Sequence, residues 1–381
     1  MFEEARWFAH KGIPHQYNIV KTVPIGPAKL LVFQASSPEF TDTYAVPLIN
    51  GSPSDGSAEY LNFIAHCMMG QKSAGNEKLE FKSMGELGTI HSTEEMAVNS
   101  SNILFRTDMY LSKSYRRLRR WNREPEVLAH LHDRGYKSAP ACHGYAKYDG
   151  FFFHAFIEYR DAQEAGELYA GNARATVSGE ASPLDASNLG CQVLELHRAL
   201  SDYPTGDALD GDMWLKAVDK RNGSRLSLIR AVLGEKYHTL AEDALASVHG
   251  GMSAGTPQMT HGDLHLGQII YSHGTYCFLD FEGEPDYDGL PVFPPERDVA
   301  SLVRSLDYTA RMTAPEDPKR AEQWYEETAG SLLDGYGTSW DDIVPWMVEK
   351  AVYEVVYELK NRPDMVNIPL AALMKLKEDF L

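Results

Sequence analysis

The sequence predicts an α+β chain built from two or three packed units. Three observations carry this expectation. β-rich stretches recur through the first 160 residues, helical apolar spacing prevails after them, and 381 residues exceed the roughly 100–200 residues of one typical domain. Hydrophobic residues make up 43% and charged residues 24%, ordinary globular proportions that exclude collagen, coiled coil and long disordered tracts. Acidic residues outnumber basic ones 54 to 36, a formal charge of -18 that disfavours nucleic acid and anionic lipid surfaces. An anionic ligand therefore needs a local basic site.

The elements are read in chain order. LLVFQASSPEFTDTYAVPL, from Leu30 to Leu48, gives two extended runs around a Ser/Pro/Asp turn, the pattern of a hairpin. The loop NGSPSDGSA (50–58) precedes EYLNFIAHCMM (59–69), which has helical apolar spacing, and a first unit is expected to end near residue 90. SNILFRTDMYLSKSY (101–115) reads as paired strands. EPEVLAHLHDRG (124–135) reads as a helix with Pro125 in its first turn and Gly135 past its end, and FFFHAFIEY (151–159) as a buried strand. These make a second unit, 91–160. A third, 161–381, is mainly helical: SNLGCQVLELHRAL (187–200) places Leu189, Val193, Leu196 and Leu200 on one stripe, and a short hairpin at 269–281 turns at Ser272, His273 and Gly274.

Cys67, Cys142, Cys191 and Cys277 are widely spaced and show no metal-ligand pattern, so they read as buried free thiols of a reducing compartment. MFEEARWFAHKG lacks the apolar core of a signal peptide and no stretch approaches the ~20 apolar residues of a spanning helix, so a cytoplasmic location is expected, with no membrane partner.

Chemistry concentrates in HGDLHLGQIIYSHGTYCFLDFEGEP, His261 to Pro285. Phosphoryl transfer needs a carboxylate to take a hydroxyl proton and separate oxygen ligands for magnesium. Asp263, Gln268 and Asp280 have the types and order for these roles. The protein-kinase pattern H-R-D-x-x-x-x-N followed by D-F-G has the same base-to-amide spacing, with Gln268 here in place of Asn and DFE in place of DFG. Taken singly, an Asp in a turn is as readily a cap as a catalyst. The ordered set, joined by an apolar hairpin, favours catalysis. Magnesium prefers oxygen ligands, so His261, grouped with Asp263 on the acceptor side, and His265 read as hydrogen-bonding supports rather than metal ligands. A lysine held by a glutamate is also required, and Lys113 with Glu126 are spaced for it. The weaker stretch Ser100, Ser101 and Asn102 stands where a phosphate-covering loop is expected. The run KSYRRLRRWNR (113–123) offers a local positive field for a nucleotide, although Arg117, Arg119 and Arg120 also read as solvated surface.

The motifs RWFAHKG (6–12), SKSYRRL (112–118), HGDLHLGQ (261–268), LDFEGEP (279–285), ERDVASLVRSLDY (296–308) and KAVYEVVYELKNRPD (350–364) together resemble the bacterial maltokinase family over nearly the whole chain. That family is similar to aminoglycoside and choline kinases, and close relatives within it phosphorylate glucosamine. The resemblance implies a bilobal protein-kinase-like (aminoglycoside phosphotransferase-like) fold with an N-terminal cap (1–90), a nucleotide-binding lobe (91–160) and a helical acceptor lobe. It implies ATP and Mg2+ as cofactors, Asp263 as base, Gln268 and Asp280 as metal ligands, and Lys113 with Glu126 on the phosphates. It also implies adenine on the backbone from Ile157 through Glu158 to Tyr159.

For the acceptor, WMVEKAVYEVVYELK puts Val348, Val352, Val355 and Leu359 on one stripe with Glu354 and Glu358 on its flank, and the resemblance places sugar contacts there. By residue type alone the flank is a solvated face in which Glu354 pairs with Lys350. The family usually has Trp after RPD, where this chain has Met365. His197 reads as a satisfied structural histidine, and Asp298 as a cap of the helix DVASLVRSL. The expected activity is an ATP-dependent sugar kinase, maltose at its anomeric hydroxyl being the first acceptor and glucosamine at its primary hydroxyl the second. An aminoglycoside kinase and a non-catalytic sugar- or nucleotide-binding regulator are the other readings.

Overall fold

In the computed structural model the chain forms two compact units, Met1–Asp161 with Asp286–Gly289, and Ala162–Pro285 with Leu290–Leu381. The structure describes residues 2–380 apart from 3, 4, 6, 39, 73, 77, 97–101, 207–212, 254, 286 and 314.

The first unit opens with four strands, β1 (Gln16–Ile25), β2 (Ala28–Ser36), β3 (Thr41–Ile49) and β4 (Ser52–Pro53), paired antiparallel in the order β1-β2-β3-β4. Helix α1 (Ala58–Met68) is capped by Ser57, whose side chain accepts from the Tyr60 N–H. Then come β5 (Leu79–Ser83), β6 (Thr93–Glu95), β7 (Ile103–Thr107), β8 (Leu111–Ser114), α2 (Glu124–Asp133), β9 (Cys142–Tyr148) and β10 (Phe151–Ile157), a six-stranded sheet ordered β5-β9-β10-β8-β7-β6. The expected boundary at residue 90 does not separate units. One buried cluster joins Val23, Ile25 and Leu30 of the first sheet, Tyr60 and Ile64 of α1, and Leu79, Phe153 and Phe156 of the second sheet, so the two sheets share a core. On the other face of the first sheet, Trp7 and Phe8 pack with Phe33 and Tyr44. The backbone of Arg116 to Leu118 hydrogen-bonds β3 through Ala45 and Thr43, which brings RWFAHKG and SKSYRRL to the same strand.

The second unit contains β11 (Gln163–Glu164), α3 (Ala165–Val177), α4 (Ser187–Leu200), α5 (Met213–Leu233), α6 (Glu235–Ser253), β12 (Gln258–Met259), β13 (Ile269–Ser272), β14 (Thr275–Phe278), β15 (Val292–Phe293), α7 (Glu296–Thr313), α8 (Pro318–Tyr336), α9 (Trp340–Asn361) and α10 (Asn367–Phe380). The strands form two small antiparallel pieces, β11-β13-β14 and β12-β15. At the β13–β14 turn His273 and Gly274 both have positive φ, 49° and 84°, as a tight two-residue hairpin requires. Helix α9 runs through the helical core against α5, α6, α7 and α10 and is buried almost all round between Ile343 and Val356. It is therefore a central helix rather than an amphipathic surface one. Its start is fixed by a capping box between Ser339 and Asp342. Helices α4 and α8 approach closely because Gly190 lacks a side chain; a Cβ there would stand 2.1 Å from the Leu332 carbonyl oxygen.

Among the cysteines, Cys67, Cys142 and Cys277 are buried as expected, but Cys191 is exposed. It lies on α4 with its Sγ 3.2 Å from the Gly335 carbonyl oxygen. No described helix is long and apolar enough to cross a membrane.

Candidate active site

In the second unit, Thr260 to His265 form a loop that leaves β12 after its pairing with β15. Its conformation depends on Asp298. The carboxylate, fully buried on the first turn of α7, accepts the N–H groups of His261 at 2.7 Å and Gly262 at 3.0 Å, and lies 3.2 Å from His197 Nε2. Burial alone would raise the Asp298 carboxyl, but hydrogen bonding from His197 and the charge of His197 and His261 hold it below its ordinary value. The expected helix cap is thus the anchor of the HGD loop. His197, which also contacts the Tyr336 hydroxyl at 2.9 Å, is a satisfied buried histidine. Gly262 has φ +84°, and a Cβ there would lie 2.4 Å from Pro291 Cβ, so only glycine fits the turn.

His261 turns inward: Nε2 reaches the Leu279 carbonyl at 2.7 Å and Nδ1 receives the Asp263 N–H at 3.4 Å. It supports the loop and links it to the strand end before Asp280. The Asp263 side chain is 17% exposed; its Oδ1 is 3.1 Å from Lys350 Nζ, while Oδ2 has His265 Nε2 at 4.0 Å, beyond hydrogen-bond reach. Among the described residues Oδ2 has no hydrogen-bond donor, which leaves it open to an incoming hydroxyl. Gln268 closes a short 3-10 turn, Leu266–Gln268, and its carbonyl accepts the Leu279 N–H at 2.8 Å. That backbone bond brings the two side chains together, with Gln268 Nε2 3.2 Å from Asp280 Oδ2. Asp280 has φ +63°, a left-handed conformation that Asp tolerates better than most side chains. Carboxylate oxygens of Asp280 and Glu282 lie within 4.8 Å of each other. An amide oxygen and carboxylates in this arrangement are hard oxygen donors, so the residues present fit magnesium.

Two expectations about α9 change. Glu354 is buried and accepts from Arg304 Nε at 3.1 Å and Nη2 at 2.7 Å, while Glu358 accepts from Tyr308 at 3.2 Å and Arg362 Nε at 2.9 Å. Both acids are held by protein groups, mostly from α7, so the face is neither solvated nor lined by unengaged carboxylates. Lys350 does not pair with Glu354 one turn away but with Asp263 and Glu284, each at 3.1 Å. Met365 is half-buried in the short turn Pro363–Met365. A separate cavity of about 320 Å³, lined by Arg304, Tyr325, Trp340 and Lys375, contains none of Asp263, Gln268 or Asp280.

In the first unit, Lys113 occupies β8 between β7 and β10, opposite Leu104 and Ala155, and is buried. Its Nζ is 2.7 Å from Glu124 Oε2, which also accepts from the Tyr115 hydroxyl at 2.6 Å. Glu126 turns away, pairing with Lys147 at 2.7 Å and Arg123 at 2.9 Å. The lysine's partner is therefore Glu124, not Glu126. Asn102 is buried just before β7, whereas Ser100 and Ser101 lie outside the described residues. After β10, Glu158 closes the strand end: its N–H donates to the Ala141 carbonyl at 2.8 Å and its carboxylate receives Ala141 N–H at 3.0 Å and Arg160 at 2.9 Å. Arg106 covers the Tyr159 ring, 4.7 Å from its centroid.

The basic run is largely neutralised. Arg116 is buried against Asp55, Arg117 pairs with Asp42, Arg119 donates to the Tyr287 carbonyl and Arg123 pairs with Glu126. Three of the five arginines in a stretch that looks strongly positive in sequence thus face carboxylates.

No protein-family model matches the chain. Among curated proteins, a glucosamine kinase of Streptacidiphilus jiangxiensis is 27% identical over 238 residues, 55% of this chain and 53% of that protein. One of Mycolicibacterium smegmatis is 28% identical over 211 residues, 50% and 53%. The chain spans about half the length of the curated relatives it matches. Among solved structures, a glucosamine kinase in complex with glucosamine, ADP and inorganic phosphate superposes with a TM-score of 0.73 at 19% identity, over 98% of this chain and 96% of that one. A choline/ethanolamine kinase family protein from Mesorhizobium loti follows with a TM-score of 0.50 at 14% identity, over 76% and 89%. This chain accordingly has the mixed helix-and-sheet, protein-kinase-like fold of those kinases, the class expected from its sequence.

Proposed function

We propose that the chain is an ATP-dependent sugar kinase that transfers the γ-phosphoryl group to a hydroxyl of an amino sugar, with glucosamine, at its primary hydroxyl, the first acceptor to test. The observation that carries the reading is the Asp263 carboxylate, anchored at Oδ1 and open at Oδ2, on the same loop and hairpin as the adjoining Gln268 and Asp280. Asp263 Oδ2 takes the hydroxyl proton as the acceptor oxygen bonds to the γ-phosphorus. The bond from phosphorus to the bridging oxygen breaks, and ADP leaves with that electron pair. Lys113, held by Glu124, supplies a fixed cation for the nucleotide phosphates. Gln268 and Asp280 are the oxygen donors for magnesium, which when bound offsets charge on those phosphates.

Glucosamine takes precedence over the maltose suggested by the motifs because the named relatives and the superposing solved structure are glucosamine kinases. An ADP-release screen over glucosamine, maltose, glucose, trehalose and aminoglycosides, with NMR of the product, tests the reading. Glucosamine 6-phosphate is the expected product. ATP binding without turnover on any of these acceptors overturns it in favour of a non-catalytic regulator, and turnover confined to aminoglycosides in favour of a drug-modifying kinase.

A further inference from the structure

We propose that Lys350 is a positioning residue for the catalytic base: its ammonium group fixes Oδ1 of Asp263 so that Oδ2 is presented to the acceptor hydroxyl. The inference rests on the phosphotransfer reading above, in which Asp263 is that base.

Lys350 stands in the middle of α9 with its side chain 8% exposed, 3.1 Å from Asp263 Oδ1 and 3.1 Å from Glu284 Oε1. It ties the HGD loop to the DFEGEP loop from behind. Glu284 is itself held by Arg297 at 2.9 Å and Arg221 at 3.0 Å, and Arg297 Nε reaches Glu349 at 3.1 Å. Arg225 completes the group on Glu349. A buried ammonium is costly unless it is paired. Burial pushes Lys350 towards neutrality, but Glu284 and Asp263 outweigh it and hold the amine above its ordinary value. Glu284 is held well below the usual carboxylate range, its own burial outweighed chiefly by Arg297 and Lys350. The Tyr353 ring, 4.5 Å from the ammonium, covers one side of it.

Glu284 and Glu349 face Arg221, Arg225, Arg297 and Lys350, so cations outnumber carboxylates there and Asp263 adds compensating charge as well as receiving a donor. Lys350 delivers one rigid donor to one oxygen of a partly exposed carboxylate. A donor fixed beside one oxygen favours the carboxylate orientation that keeps this oxygen on Lys350 and turns the other away from it. Orientation of this kind is what a reacting group loses most readily when its support is removed.

The test compares Lys350→Met, Lys350→Arg, Lys350→Ala, Asp263→Asn and the double variant Asp263→Asn/Lys350→Met in the glucosamine assay, with thermal unfolding of each. Lys350→Met is expected to lower kcat by about 10- to 100-fold while leaving KM for ATP nearly unchanged. Lys350→Arg keeps more activity than Lys350→Met, and methylammonium restores part of the Lys350→Ala rate in a saturable way. The double variant is no slower than Asp263→Asn within about twofold, because both changes remove one function. A Lys350→Met enzyme at wild-type kcat beside an inactive Asp263→Asn overturns the inference and leaves the kinase reading intact. A folded Lys350→Ala variant that is slow but deaf to methylammonium, with losses that multiply in the double variant, assigns Lys350 a purely structural role and also overturns it. Near wild-type turnover of Asp263→Asn removes the kinase reading itself. If Lys350→Met does not fold, Lys350→Arg and the amine response of Lys350→Ala decide the matter.

Discussion

Asp298 accepts two backbone N–H groups from the turn that carries Asp263, and its replacement leaves both donors buried without an acceptor. Asp298→Ala is expected to cost roughly 1–3 kcal/mol of stability and to lower kcat far more than KM for ATP, measured by urea unfolding and steady-state kinetics. The Lys113 partner offers a second comparison. Glu124→Gln should raise KM for ATP or lower kcat by at least about tenfold, whereas Glu126→Gln, whose carboxylate faces Lys147 and Arg123, should leave both within about threefold. Equal effects of the two would refute the assignment. Sequence spacing identified Lys113 and an acid on the following helix but chose Glu126. Residues two apart point to nearly opposite sides of a helix, and only the docking of α2 determines which side meets the sheet. Asp263, Gln268 and Asp280 were legible because their order and spacing follow from local chain geometry. Lys350 carried no such signal, since its partners lie 66 and 87 residues away in sequence.

At the scale of elements, most strands and helices follow from local pattern. The hairpin at 269–281, the helix after Arg123 and the strand pair around Lys113 all form where alternation, Pro placement and turn residues put them. Helix α9 is the exception. Its stripe Val348, Val352 and Val355 is buried, but so are Glu349, Lys350, Glu354 and Glu358. Periodicity reads charged positions as solvent-facing, and here the arginines of α5 and α7 bring the compensating charges from elsewhere in the fold. Removing the capping box by Ser339→Ala should cost about 1 kcal/mol in urea unfolding without changing KM for ATP. Gly262→Ala places a methyl group against Pro291 in a left-handed turn, so it should reduce kcat by more than about tenfold and lower the unfolding free energy by about 1–3 kcal/mol.

At the scale of the whole molecule, acid should destabilise both units. His154 is buried in the sheet of the first unit, and burial pushes its imidazole down to about 3, below the ordinary 6.5. In the second unit Glu349 is held at about 2: burial would raise it, but Arg297 and Arg225 outweigh that. Each of these groups binds its proton more readily when unfolded. The stabilisation from His154 is complete above 6.5 and fades as pH falls towards 3; that from Glu349 is complete above 4.5 and fades towards 2. Urea unfolding between pH 7 and pH 4 should show a steady loss, and His154→Leu should flatten the part between pH 6.5 and pH 4. A profile unchanged by that substitution would show that His154 does not carry it.

The protein-kinase-like class, the sheet-then-helix order along the chain and the HGD–Gln–DFE arrangement are legible in the sequence. These depend on residue type and short spacing, which the chain carries locally. Folding settles that strands and a helix from the first 90 residues share a core with the next sheet, that Glu124 rather than Glu126 holds Lys113, that Arg116, Arg117 and Arg123 face carboxylates, and that α9 buries its charges and sends Lys350 to Asp263. Each of these depends on which distant group arrives to satisfy a charge or cover a face. Burial makes such pairing obligatory, and only the folded chain names the partner.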